Sequence, residues 1–315
     1  MLATVHEVLP LLRCPRTKNT LQQSGDLLIT YDDATGRSIE YRIVGGMPVL
    51  IDFSDSVISE EVAVSGKVQS PIERRSYGGI KKFIRHLLSP HKKSTRHNVQ
   101  KLIEELTSTN PQSRLLVVGG GSIGQGMEPL YQHNSLNIFG FDVYASPHVQ
   151  FVADAHHIPL ADGCFDAVVV QAVLEHVLQP AQVVAEIWRV LRPNGLVYAE
   201  TPFMQQVHEG AYDFTRFTQS GHRYLFRQFD CISSGAVDGP GTQFMWAADY
   251  LARSIFRSVK AGKAAKLAFF WTQYLDKLIP PNYAEDGASG VFFFGRKSQQ
   301  TMTPRDAIRY YRGAQ

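Results

Sequence analysis

The stretch that most restricts how this chain folds is "RLLVVGGGSIGQG", residues 114–126. A short run of Leu and Val opens into five glycines, the pattern of a buried strand that ends in a loop closely approached by a ligand, because glycine places no Cβ in the way. Downstream of it, "LNIFGFDV", "FDAVVVQAV", "PAQVVAEIWRVL" and "GLVYAETP" are strand-like and helix-like segments at the spacing of βαβ units. The alternation predicts an α/β fold with a doubly wound, mainly parallel sheet. A glycine loop after a first strand does not by itself identify a ligand, since a tight strand-to-helix turn uses the same residues.

The 315 residues, 44% of them hydrophobic, suffice for one large domain and a smaller one. Three blocks are expected. Residues 1–60 carry an apolar helical pattern in "VHEVLPLL" and alternating apolar residues around "DDATG" and "GG", a small β-rich module. Residues 61–110 contain "RRSYGGIKKFIRHLLSPHKKSTRH", read as a basic helical linker with a solvated face or as an anionic-surface contact. Residues 111–315 form the α/β domain, interrupted at about 241–282 by a helical insertion with a basic polar face.

A formal charge of +3, with 19% charged residues, is too mild to imply nucleic acid, which is therefore not the first-choice partner. Cys14, Cys164 and Cys231 are odd in number and far apart, which provides no disulfide framework and suits a reducing compartment. No basic start with an apolar signal core and no run of about 18 apolar residues occurs, so a cytoplasmic protein is expected.

"NIFGFD" ends in Asp142, at the distance downstream of the glycines expected for a carboxylate that receives the two hydroxyls of a ribose. That feature suits NAD and S-adenosylmethionine equally. The segment "VQFVADAHHIPLADGCFDAVVVQAVLEHV" separates them. Its Asp154-Ala155 pair after the third strand, its "IPLADGCFDAVV" and "LEHV", and the later "EIWRVLRPNGLVYAETP", with Asn194 where a glycine is usual, resemble the class I S-adenosylmethionine-dependent methyltransferases of the methyltransferase-11 type. The resemblance covers about residues 111–230 and implies a seven-stranded Rossmann-like sheet with S-adenosylmethionine as cofactor. It also implies that Gly119, Gly121 and Gly124 border the methionine part and that Asp142 holds the ribose. Asp154 meets the adenine amino group with Ala155 beside it, and Gln171 stands at the end of the fourth strand. A helix N-cap or turn is the alternative for both aspartates; His156, His157 and Asp162 read as loop residues. One departure is Val117, which stands where the family carries an acid. Losing a charge-assisted contact there costs about 1.5–3 kcal/mol, with Glu128, Glu175 or a water as candidates to compensate.

"LLRCPRTKNTL" and "YRIVGGMPVLI" in the first block resemble the Trm112-like (UPF0434-type) module. Thr17 stands where its second zinc cysteine belongs and Thr30 near where a third is expected, whereas zinc takes about four ligands. No metal site is expected, and Cys14 is read as structural.

After the fifth strand, "TPFMQQVHEGAYDFTRFTQSGHRYLF" resembles the "H…D-x-x-R-x-T" segment of methyltransferases found with glycan and other polar-metabolite pathways. An imidazole suits removal of a proton from an acceptor hydroxyl near neutral pH. His208 is therefore the first candidate for the catalytic base, with Asp213 as the alternative or as the group orienting it, and Arg216 as a substrate-binding residue. The competing structural reading has Asp213 and Arg216 as a salt bridge pinning the loop and Thr218 as an N-cap. His176 is expected to pack near the cofactor or cap its helix, His222 to lie at the surface, and Cys164 and Cys231 to be buried. The insertion reads as a lid or packing helix pair, as a peripheral membrane contact reaching a lipid-linked sugar, or as a partner groove. The expected acceptor is a hydroxyl of a sugar, glycan intermediate or other polar metabolite. A degenerate interaction scaffold, or a tRNA or protein methyltransferase, is the alternative.

Overall fold

Strands that are apolar on both faces need cover on both, and here they lie at the centre of one long sheet. The computed structural model describes residues 1–64 and 93–315. Its strands are β1 (Gln22–Ser24), β2 (Leu27–Tyr31), β3 (Ser38–Val44), β4 (Met47–Leu50), β5 (Ser113–Val118), β6 (Leu136–Asp142), β7 (Phe151–Ala153), β8 (Phe165–Gln171), β9 (Leu191–Pro202), β10 (Phe229–Asp238) and β11 (Gly290–Lys297). They follow the order β1-β2-β3-β4-β7-β6-β5-β8-β9-β11-β10. From β4 to β9 every neighbouring pair is parallel, whereas β11 runs antiparallel to both β9 and β10.

The doubly wound, mainly parallel arrangement is thus present in β5 to β11, but the sheet has eleven strands and not the expected seven. The four extra strands come from the first block, which does not close a sheet of its own. Val49 and Leu50 of β4 pair in parallel with Val152 and Ala153 of β7, and all four side chains are buried. An isolated meander of such short strands is marginal in water, and pairing with β7 gives its apolar residues a core. The hairpin from β3 to β4 turns through Gly45 and Gly46, with φ of 59° and 80°, the left-handed pair that a two-residue turn of matching twist requires.

Alternation along the central strands divides the core between two layers. Leu116, Val118, Phe139, Phe141, Phe151, Val168 and Val170 face one cluster, which includes Val183, Val184 and Ile187 of the helix Pro180–Val190. Leu115, Ile138, Ala167 and Val169 face the other, covered by Val99, Leu102, Ile103 and Leu106 of the helix Lys93–Thr109. Most of the basic run expected as a linker lies outside the described residues. Asn194 takes φ 63° in the turn within β9, a left-handed position that Asn tolerates better than most side chains, which explains how it replaces a glycine there.

The insertion lies between β10 and β11 and comprises helices Pro240–Phe256 and Val259–Ala268, a 3₁₀ segment Phe270–Lys277 and a helix Pro281–Asp286. Asp276 ties it together. Its carboxylate accepts from the amides of Gly239 (3.1 Å), Gly241 (2.6 Å) and Thr242 (3.0 Å) and from the Thr242 hydroxyl (2.7 Å). These amides are at the start of the helix Pro240–Phe256, where the backbone leaves N–H groups unpaired and the helix dipole favours an anion.

Candidate active site

The chain leaves β5 towards β6 and β7 on one side and returns to β8 and β9 on the other. Between the carboxyl ends of β5 and β8 the winding reverses, the place where doubly wound sheets bind ligands. The glycine loop lies there. Gly119 has φ 71°, and a Cβ on it collides with Val173; one on Gly121 collides with Tyr144 and Asp142, and one on Gly124 with Gln171. Gly121 donates its amide to Asp142 Oδ2 (2.8 Å), and Gly120 donates to the Phe141 carbonyl (2.9 Å), so the loop is stitched to the end of β6. Asp142 Oδ1 accepts from the Val143 amide (2.7 Å). Glu128, a candidate compensating acid, accepts from the Gly126 amide (2.9 Å) and fixes the far end of the loop, while Val117 pairs within the sheet beside Gly140 and Val169.

Asp154 follows β7 and adopts the N-cap geometry of the alternative reading. It caps the 3₁₀ turn Ala155–His157, accepting from the His156 amide (3.0 Å) and His156 Nδ1 (2.6 Å), and its other oxygen accepts from Ser56 Oγ (2.5 Å). Burial raises its pKa, but the bonds from His156 and Ser56 outweigh that and hold the carboxyl below its ordinary value. Ala155 is buried beside it. His156 is likewise buried and donates from Nδ1 to Asp154 while its Nε2 accepts from the Gln179 amide (3.1 Å), so it is fixed in a 3₁₀ turn rather than being the loop residue expected.

Gln171 ends β8 and donates to Glu200 Oε2 (2.7 Å). Glu200, absent from the sequence expectations, is a buried carboxylate that also accepts from Thr95 Oγ1 and the Tyr198 hydroxyl, both at 2.5 Å. Ala172, next in the chain, has φ 53°, an unusual conformation for a residue with a Cβ and one that clusters at functional sites. Backbone amides of the loop, Asp142 and Gln171 are thus brought together at the switch point. At Asp154, Ser56 Oγ occupies the oxygen that the sequence reading assigns to an adenine amino group.

The segment after β9 meets the loop after β8. Phe214 and Thr215 donate their amides to the Glu175 carbonyl (2.8 and 3.3 Å), which brings His208 beside Glu175 and His176. The two imidazole rings meet edge to face with centroids 5.0 Å apart. Asp213 Oδ2 accepts from the His208 amide (2.9 Å) and lies 3.3 Å from His208 Nδ1. Arg216 forms a bidentate pair with Asp213. Its remaining N–H groups reach the carbonyls of Thr215 (2.8 Å), Gln206 (3.3 Å) and Gln205 (2.9 Å). All five guanidinium donors are committed to the loop, so the expected substrate-binding role of Arg216 gives way to the salt bridge that pins the segment. Burial works to raise the Asp213 pKa but is outweighed by Arg216 and the His208 amide, which hold it at about 2. Such a group orients His208 rather than accepting a proton near neutrality. His208 and His176 are both pushed below the ordinary imidazole value, chiefly by burial.

Glu175 is fully buried, and neither carboxylate oxygen has a hydrogen-bond partner among the described residues. Burial pushes its pKa up to about 8. Its Oε1 lies 3.5 Å from His176 Nε2 and 3.8 Å from His208 Nε2. Thr218 caps the helix Gln219–Leu225 through the Gly221 amide, as its sequence position suggests. His222, expected at the surface, is instead 1% exposed between Phe217 and Phe226, because the apolar face of that short helix turns inward. Cys164 is buried and Cys231 partly so.

A doubly wound sheet with a glycine loop and Asp142 at its reversal is a frame on which nucleotide-type cofactors bind. Residues 116–199, which span that frame from β5 to β9, match the methyltransferase domain family, whose cofactor is S-adenosylmethionine. A curated relative, demethylmenaquinone methyltransferase of Renibacterium salmoninarum, is 30% identical over 167 residues, covering 50% of this chain and 64% of the relative. The chain thus spans under two thirds of that relative's length. Among solved structures, phosphoethanolamine N-methyltransferase 2 of Haemonchus contortus in complex with S-adenosyl-L-methionine aligns with 15% identity and a TM-score of 0.46, over 74% of this chain and 61% of that one. A geranyl diphosphate methyltransferase in complex with the same cofactor aligns with 14% identity and a TM-score of 0.45, over 70% and 93%.

Proposed function

We propose that the chain is an S-adenosylmethionine-dependent methyltransferase that acts on a hydroxyl of a sugar, a glycan intermediate or another polar metabolite. The observation that carries this reading is the stitching of the glycine loop to Asp142 at the reversal of the sheet, within the segment that matches the methyltransferase domain. S-adenosylmethionine, when bound, supplies an electrophilic methyl group on a sulfonium that leaves readily. The protein's residues align and deprotonate. Gly119, Gly121 and Gly124 let backbone amides approach the methionine part, Asp142 takes the ribose hydroxyls, and Gln171, held by Glu200, presents its amide at the end of β8. Asp154 and Ala155 border the adenine. His208, oriented by Asp213 and quarter-exposed at its side chain, takes the acceptor's proton as the methyl group transfers.

The competing reading, a scaffold that no longer binds the cofactor, is favoured by Val117 in place of the motif acid and by Ser56 on the Asp154 carboxylate. Calorimetry with S-adenosylmethionine and S-adenosylhomocysteine separates the two. Binding by either supports the enzyme; no binding at millimolar concentration by the folded chain leaves the scaffold. The first block keeps the reading of a Trm112-like module without its zinc ligands, with Cys14 Sγ buried 3.2 Å from the Tyr41 hydroxyl. The insertion serves as a membrane-facing surface: Leu251, Ile255, Phe256 and Val259 are exposed together around a helix end, flanked by exposed Arg257, Lys260 and Lys263. Among the described residues no helix is long and apolar enough to cross a membrane.

A further inference from the structure

Around Glu175, three acceptor atoms lie close together. His176 Nδ1 is 2.6 Å from the Tyr212 carbonyl, which can only accept, so the ring proton of a neutral His176 is on Nδ1 and the lone pair is on Nε2. The same holds for His208. Its Nδ1 faces Asp213 Oδ2 at 3.3 Å and the Gln206 carbonyl at 3.4 Å, both acceptors, which leaves the Nε2 lone pair on the other side. Both Nε2 atoms lie beside Glu175 Oε1, at 3.5 and 3.8 Å, on a carboxyl group that is buried and without a hydrogen-bond donor among the described residues. The three ligand atoms lie within 4.8 Å of one another.

A proton shared between carboxyl and imidazole does not account for this arrangement, because the 3.5 and 3.8 Å separations exceed the roughly 3 Å limit of an O–H donor bond. A cation does. Metal–ligand bonds of about 2.0–2.2 Å in a tetrahedral set place neighbouring ligand atoms about 3.4 Å apart. We propose that Glu175, His176 and His208 bind one divalent transition-metal ion. Two imidazoles and one carboxylate suit zinc, manganese, cobalt or iron(II), whereas magnesium and calcium prefer oxygen ligands throughout.

The surroundings have the form that metal sites take. The other ring nitrogen of each imidazole faces acceptors, the Tyr212 carbonyl for His176 and the Gln206 carbonyl and Asp213 for His208, which favours one tautomer and orients the ring. Arg216 clamps Asp213, and the amides of Phe214 and Thr215 anchor the second segment to the carbonyl of Glu175, so ligands 33 residues apart in sequence are held by short bonds. Three protein ligands leave a position open for an acceptor oxygen, whose proton the ion acidifies. With the ion bound, His208 Nε2 would serve as a ligand and the ion would acidify the acceptor's proton, which solvent would take; without it His208 remains the base. The purpose of the ion rests on the methyltransferase reading, but its binding does not.

The test titrates the untagged full chain, stripped with a chelator, with zinc and manganese by calorimetry and with cobalt(II) by visible absorption, and repeats each on Glu175→Gln, His176→Asn and His208→Asn. One equivalent of at least one ion is expected, each ligand substitution weakening it about 100-fold or more and Asp213→Asn about 10-fold to 100-fold. Circular dichroism melts establish that each variant is folded, and S-adenosylhomocysteine binding is measured beside them. Absence of stoichiometric binding by the wild-type chain overturns the proposal, as does binding that survives all three substitutions unchanged. Either result with S-adenosylhomocysteine still bound leaves the methyltransferase reading intact. Metal binding without S-adenosylhomocysteine binding supports the site and refutes the enzyme.

Discussion

Replacing His222 with leucine should flatten the acid side of the stability profile. The imidazole is fully enclosed, with Phe226 at 5.1 Å and Phe217 at 6.0 Å between ring centroids, and its Nε2 has no partner among the described residues. Burial alone pulls its pKa from 6.5 to about 3. Above pH 6.5 the ring is neutral in both the folded and unfolded chain and adds no pH dependence. Below pH 6.5 the unfolded chain takes up a proton that the folded chain refuses, so stability falls as pH falls, until the folded ring titrates near 3. Each pH unit in that window costs about 1.4 kcal/mol, so about 2 kcal/mol is lost by pH 5. Urea denaturation followed by circular dichroism at pH 7.5, 6 and 5 measures it on the wild-type chain and on His222→Leu. The difference between the two proteins should change by about 2 kcal/mol between pH 7.5 and 5. Parallel profiles would refute the claim that this ring is held neutral by burial.

Asp142→Ala should abolish measurable S-adenosylhomocysteine binding in calorimetry, because it removes both the proposed ribose acceptor and the bond that holds the Gly121 amide; unchanged affinity means the ribose lies elsewhere. His208→Ala should slow methyl transfer by roughly 100-fold or more with cofactor affinity nearly unchanged, once an acceptor screen starting with nucleotide sugars has supplied a substrate. A joint loss of affinity and rate makes it a support of the pocket. Asp276→Ala leaves three amides at a helix start without their anion and should cost about 1.5–3 kcal/mol in chemical denaturation. Ile255→Glu with Phe256→Glu should remove co-sedimentation with anionic lipid vesicles, while equal binding by both proteins places any membrane contact on another face.

The parallel sheet was legible because βαβ units repeat a local pattern, and Thr218 because an N-cap is decided within four residues. The joining of β4 to β7 was not, since a strand of four residues carries no record of its partner a hundred positions away. His222 was misplaced because its residue type suggested water, although Phe226 four residues on shares its helix face. Spacing singled out the glycine loop and Asp142, which the structure joins through the Gly121 amide, while the cofactor roles assigned to them came from the family resemblance. The cluster at Glu175 escaped because "LEHV" and "QQVHEGAYDFTRFT" become one site only through backbone bonds from Phe214 and Thr215, which no side-chain pattern announces.

The parallel pairing of β4 with β7 also determines where this chain tolerates cutting. A version trimmed to residues 111–315 keeps the segment that matches the methyltransferase domain. It exposes the edge of β7, however, where Phe151, Val152 and Ala153 are all buried in the intact protein. An uncovered edge of apolar residues is a template for another strand, and nothing in β7 itself, neither proline nor charge, discourages that. Such a fragment would also lose Ser56 from Asp154. The first sixty residues thus act as a selvage, the finished border that keeps a woven sheet from catching on its neighbours.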